Sequence, residues 1–170
     1  MNNWYLTGMM GSGKSVTAAA LAGLAGRGVT DLDREIAQNE KRSINAIFAE
    51  SGEAYFRDLE SRWLERMAAR SDLVVATGGG VILREANVHL MKKTGIVIYL
   101  ETSLETLWQR VRLAKDRPLL KKPNPKAELE KILLSRKKLY ESACSLKILT
   151  DGRSGAEVAR ELYGMLGGKK

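Results

Sequence analysis

Hydrophobic residues along the chain switch between two periods. Short apolar runs at 3–7, 73–76, 96–100 and 146–149 read as buried strands, and the segment 29–33 reads as a fifth. Between them lie longer stretches with helical spacing. The alanine-rich segment 14–24 favours helix by propensity. In 43–50 the apolar positions are Ile44, Ile47 and Phe48; Gly52 interrupts, and 54–70 resumes with Phe56, Leu59, Trp63 and Met67 on one stripe. Further helices are predicted over 85–93, 103–113, 127–142 and 156–166. Pro118, Pro123 and Pro125 mark an irregular loop before the helix at 127. Strands alternating with helices imply an α/β chain whose parallel sheet is covered on both faces.

The 170 residues suit one domain with a sizeable core, 1–170. No apolar run is long enough to span a membrane. A glycine loop already begins at Gly8, so no signal peptide is expected. The one cysteine, Cys144, excludes an internal disulfide, and the one histidine, His89, has no histidine partner for a metal. A reducing cytoplasm fits these features. The net charge of +8 suggests anionic partners. The excess is concentrated between Arg110 and Lys138, where only Asp116, Glu128 and Glu130 oppose it.

The segment GMMGSGKS, residues 8–15, falls between a predicted strand and a predicted helix. Its successive backbone N–H groups can form an anion nest, and the following helix adds its positive end. Gly11 and Gly13 let the backbone close around phosphate. Lys14 would reach the β- and γ-phosphates, and the Ser15 hydroxyl would ligate Mg²⁺. A nucleoside triphosphate is therefore expected. In TDLDRE, strand alternation puts Asp31 and Asp33 on one side at the ligand end of the sheet. One carboxylate could support Mg²⁺ and the other could accept a proton from a nucleophilic hydroxyl. Alternatively, they cap the next helix. Arg57 and Glu60, three apart on a helix, form a simple surface pair or a fork held for an anion. The strand 73–76 ends in three glycines, Gly78, Gly79 and Gly80, where one would make a turn. Such spending of glycine suggests that another body approaches the backbone closely.

Six pieces in order, GMMGSGKS, DLD, SINAIFAESGEAYFRDLE, ATGGGVIL, RPLL and RKKLY, make the chain resemble the shikimate kinase family from Gly8 to Tyr140. The resemblance implies a three-layer α/β/α P-loop fold. It would hold a five-stranded parallel sheet, a helical substrate-binding subdomain at about 33–61 and a mobile lid at about 112–124. It implies transfer of the ATP γ-phosphate to the 3-hydroxyl of shikimate, in aromatic amino acid biosynthesis. ATP would contact Gly11, Ser12, Gly13, Lys14, Ser15 and Val16, with Arg110 and Arg153 near adenine and Arg117 reaching over the phosphates from the lid. Ser15 and Asp31 would serve Mg²⁺. Asp33 would meet the substrate hydroxyls, and Arg57, Gly79, Gly80 and Arg136 would hold the rest of shikimate. Lys14, Asp33 and Arg117 would carry catalysis. Two positions depart from the family pattern: Val16 stands where a second hydroxyl residue is usual, and Val29 replaces an aromatic residue.

Arg136 also stands out by periodicity. It lies within the stripe formed by Leu129, Ile132, Leu133 and Tyr140, and an inward arginine needs an anion or must snorkel. A kinase for gluconate or a nucleotide is one rival reading; the TGGG turn speaks against a nucleotide acceptor. A nucleic-acid-binding ATPase is another, but residues 110–138 offer no aromatic side chain for stacking on bases. No nucleic-acid or membrane partner is expected, and a monomer is.

Overall fold

The computed structural model describes residues 2–112 and 123–168. Among them, five parallel strands form one sheet in the order β2-β3-β1-β4-β5. These are β1 (Asn3–Thr7), β2 (Gly28–Asp31), β3 (Leu73–Ala76), β4 (Gly95–Glu101) and β5 (Leu146–Leu149). The expected five-stranded parallel α/β fold is thus observed. Register pairs Leu6 with Ala76 on one side and with Ile98 on the other. The chain leaves β1 towards β2 and β3 and later crosses to β4, so the order reverses at β1. An open parallel sheet binds ligands at such a switch, beyond the strand C-termini.

Side-chain alternation fills both faces. Leu6, Val74, Ile98 and Leu100 pack with Ala18, Leu21, Val158 and Leu162 from α1 (Lys14–Ala25) and α7 (Gly155–Met165). Tyr5, Val75, Val97 and Tyr99 pack on the other face. They meet Leu64 of α3 (Ile44–Ala68), Met91 of α4 (Glu85–Thr94), Leu107 of α5 (Leu104–Val111), and Leu129 and Tyr140 of α6 (Pro125–Ala143). A smaller core of Ile36, Ile47, Phe56 and Leu59 joins α2 (Leu32–Glu40) to α3. The interruption expected at Gly52 is a kink inside α3, with φ 82° and ψ 171°.

The region 32–40 departs from the expectation. Asp33 does not end a strand. The strand stops at Asp31, whose carboxylate accepts from the Arg34 N–H at 3.2 Å and caps α2. Asp33 lies in the first turn of that helix, so strand alternation does not explain how the two aspartates come together.

Candidate active site

β1 runs into the phosphate loop, and Gly13, with φ 92°, caps α1. A cleft of about 260 Å³ opens above it, lined by Lys14, Ser15, Val16, Asp31, Asp33, Thr77 and Gly79, among others. Thr77 was not anticipated from the sequence. It is buried, its hydroxyl donates to Leu6 O at 2.9 Å, and it ties the end of β3 to β1 beneath the cleft. The Lys14 ammonium donates to the Gly8 and Met9 carbonyls, each at 2.9 Å. The buried Ser12 hydroxyl has no hydrogen-bond partner among the described residues. Exposed N–H groups, a lysine and an orphaned hydroxyl suit a phosphate chain.

Ser15 donates to Asp31 Oδ2 at 2.5 Å. The pair presents hard oxygen donors beside the phosphate loop, which suits Mg²⁺ shared with nucleotide phosphates. Among the described residues, no group of three His, Cys, Asp or Glu could hold a metal by itself. The donor set therefore fits a phosphate-borne cation and not an all-protein cage.

The glycine triplet makes room for the protein's own charges. A Cβ on Gly80 would overlap the Arg57 guanidinium, and one on Gly78 would overlap Glu60 Oε1 and approach Asp33 Oδ1 to 2.9 Å. Arg57 pairs with Glu60 at 2.8 Å and with Glu53 at 3.1 Å. Burial works against the Arg57 charge, but the two carboxylates outweigh it and the guanidinium pKa is raised. Glu60 is fully buried and its Oε1 accepts no hydrogen bond among the described residues. Burial pushes its carboxyl pKa up; Arg57 opposes the shift and Asp33 adds to it.

Arg136 faces inward, as the stripe predicts, and donates to Gly79 O at 3.2 Å. Arg110 donates to Gly11 O at 3.2 Å and to Thr150 O at 2.9 Å, which fixes it beside the phosphate loop. The Arg153 carbonyl accepts from Arg110 at 3.3 Å, while its guanidinium turns to Glu161 at 2.6 Å. The structure thus gathers Lys14, Ser15, Asp31, Asp33, Arg57, Gly79, Gly80 and Arg136 around the end of β1 and β3. Arg110 and Arg153 stand at the far side of the loop. Arg117 and most of the expected lid lie outside the described residues.

A parallel sheet with a phosphate loop at its switch point, and two arginines converging on a glycine turn, defines a P-loop kinase of small anionic molecules. The protein family described as Shikimate kinase matches residues 10–166. A shikimate kinase of Persephonella marina is 43% identical over 166 residues, 98% of this chain and 99% of that protein. A structure of shikimate kinase from Acinetobacter baumannii in complex with shikimate superposes with a TM-score of 0.93. It is 38% identical and covers 98% of this chain and 94% of that one. A gluconokinase from Sinorhizobium meliloti, with a TM-score of 0.63 and 16% identity, shares the fold alone. The chain belongs to the shikimate kinase family. Its activity is ATP-dependent phosphoryl transfer to shikimate, in aromatic amino acid biosynthesis. Among the described residues no helix is long and apolar enough to cross a membrane.

Proposed function

We propose that the two ends of the cleft divide the reaction. Lys14 and the loop Gly11–Val16 take the ATP phosphates, with Arg110 and Arg153 towards the base. Ser15 and Asp31 would hold Mg²⁺, which supplies charge neutralisation on the phosphates when bound. Asp33 orients the 3-hydroxyl of shikimate and accepts its proton. Arg136 and Arg57 hold the carboxylate side, and the Gly79–Gly80 backbone meets the remaining hydroxyls. Arg117 closes over the phosphates from the lid, 112–124. The small core joining α2 to α3 supports reading 33–61 as a substrate-binding subdomain. The enzyme in this scheme is a monomer acting on two small molecules, without nucleic acid.

The observation that carries this reading is the meeting of Arg57, Arg136 and Asp33 at one glycine turn, beside the phosphate loop. Phosphoryl transfer asks the protein mainly for positioning and charge stabilisation, and this arrangement offers both. The test is coupled ADP release across shikimate, gluconate and nucleosides, with Mg²⁺ removed by chelation and then restored. Turnover is expected with shikimate and Mg²⁺ only. Stimulation by gluconate or a nucleoside in place of shikimate would overturn it.

A further inference from the structure

Tyr140 sits where the acceptor half of the cleft meets the phosphate loop. It is fully buried, and its ring stacks on Tyr99 with centroids 5.0 Å apart and planes 9° apart. Its hydroxyl donates to Gly79 O at 2.5 Å and lies 3.8 Å from Met9 Sδ of the phosphate loop. Gly79 O thus receives two donors from one helix, Tyr140 and, one turn earlier, Arg136.

The two donors differ in kind. Arg136 is charged and half-buried, and a guanidinium turns readily to a carboxylate that can take two of its N–H groups. Tyr140 has one proton on a rigid, stacked ring. Burial, opposed by Arg136, pushes its pKa up to about 12, so the hydroxyl keeps its proton at neutral pH.

We infer that Tyr140 is a positioning residue for the acceptor: it holds the Gly79–Gly80 peptide in place while Arg136 leaves Gly79 to bind the substrate carboxylate. This rests on the proposal that Arg136 and the glycine turn bind shikimate. A trans peptide carries its C=O and the next N–H on opposite edges, so fixing Gly79 O also fixes the Gly80 N–H. Without the Tyr140 hydroxyl, carboxylate binding would strip the Gly79 carbonyl of both donors. A partly buried acceptor at the cleft wall resists that loss, so Arg136 would be retained on Gly79 and shikimate would bind less well.

The test measures shikimate and ATP binding, with steady-state kinetics, for Tyr140→Phe, Tyr99→Phe and Arg136→Leu. Phenylalanine at 140 keeps the ring stack and the core volume. Tyr140→Phe is expected to raise the shikimate KM about tenfold and leave that for ATP within about twofold. Tyr99→Phe, which alters the same stack without touching Gly79, should bind shikimate like the parent. Parental shikimate affinity in Tyr140→Phe, an equal loss for ATP, or an equal loss in Tyr99→Phe would each overturn the inference. If Arg136→Leu also binds shikimate normally, the underlying site assignment has failed; if it alone weakens binding, only the Tyr140 step has.

Discussion

Arg57 and Gly80 are in such close apposition that no side chain could stand on Gly80 without displacing the guanidinium. Gly80 has φ −107°, which any residue can adopt. The requirement for glycine here is therefore steric and not conformational. Gly80→Ala should fold but push Arg57 away from its place between Glu60 and the turn. Its shikimate KM is expected to rise tenfold or more, roughly the effect of losing one charged hydrogen bond, with the ATP KM little changed. Steady-state kinetics with each substrate varied will check this; a parental shikimate KM would contradict it.

Arg136→Leu isolates the carboxylate clamp. Leucine continues the stripe of Leu129, Ile132, Leu133 and Tyr140, and Gly79 O keeps its bond from Tyr140. Thermal stability should barely move. Removing one partner of a desolvated charge pair costs about 2–5 kcal/mol, or roughly 30-fold to a few thousand-fold in shikimate affinity. Titration calorimetry with shikimate and with ATP separates the two sites. Losses of equal size for both ligands would show that Arg136 is not the clamp.

Lys14→Met probes the donor half. Lys14 is half-buried and stands outside the apolar clusters, and its ammonium donates to backbone carbonyls of its own loop, so its removal should leave the core intact. Turnover is expected to fall roughly a hundredfold or more, as for loss of a group aimed at charge in the transition state. Circular dichroism should match the parent. Near-parental kcat in a folded variant would remove the lysine from the mechanism.

Glu60 gives the protein a distinctive acid limb. Its folded pKa is raised above the ordinary value of 4.5, chiefly by burial. Above 4.5, and up to that raised value, the folded state binds more protons at this site than the unfolded state. Stability contributed there is full below 4.5 and is lost as pH rises through the folded pKa. Glu60→Gln should flatten this fall. Denaturant unfolding of both proteins across a pH series starting near 4 will show it; identical pH slopes would mean that Glu60 titrates as an ordinary surface acid.

How legible these features were depended on whether their cause was local. The phosphate loop is contiguous, and its strand–loop–helix setting is visible in the sequence. Arg136 could be singled out because it interrupts an apolar stripe. The helix Leu32–Glu40 leaves no periodic signal in the sequence because it buries only Leu32 and Ile36, too few positions to show a period. Its cap, Asp31, fits both a strand end and a helix start in the sequence, and in the fold it is both. The triple glycine signalled a close approach, yet the approaching bodies include Arg57 and Glu60, brought there by folding from more than fifteen residues away. Tyr140 reads as plain core from periodicity, since nothing in a stripe tells where a hydroxyl ends.

The packing of α7 on α1, where Gly155 meets Val16 and Thr17, also orders events during synthesis. The phosphate loop, at 8–15, leaves the ribosome well before the helix that braces it, at 155–165. Domains tend to fold as units as the chain emerges. The nascent protein would therefore carry a complete nucleotide-binding motif while residues 16–154 are being made, without the helix that packs against it. Competence to bind nucleotide should be acquired late, after Arg110 has found Thr150 and α7 has closed over α1.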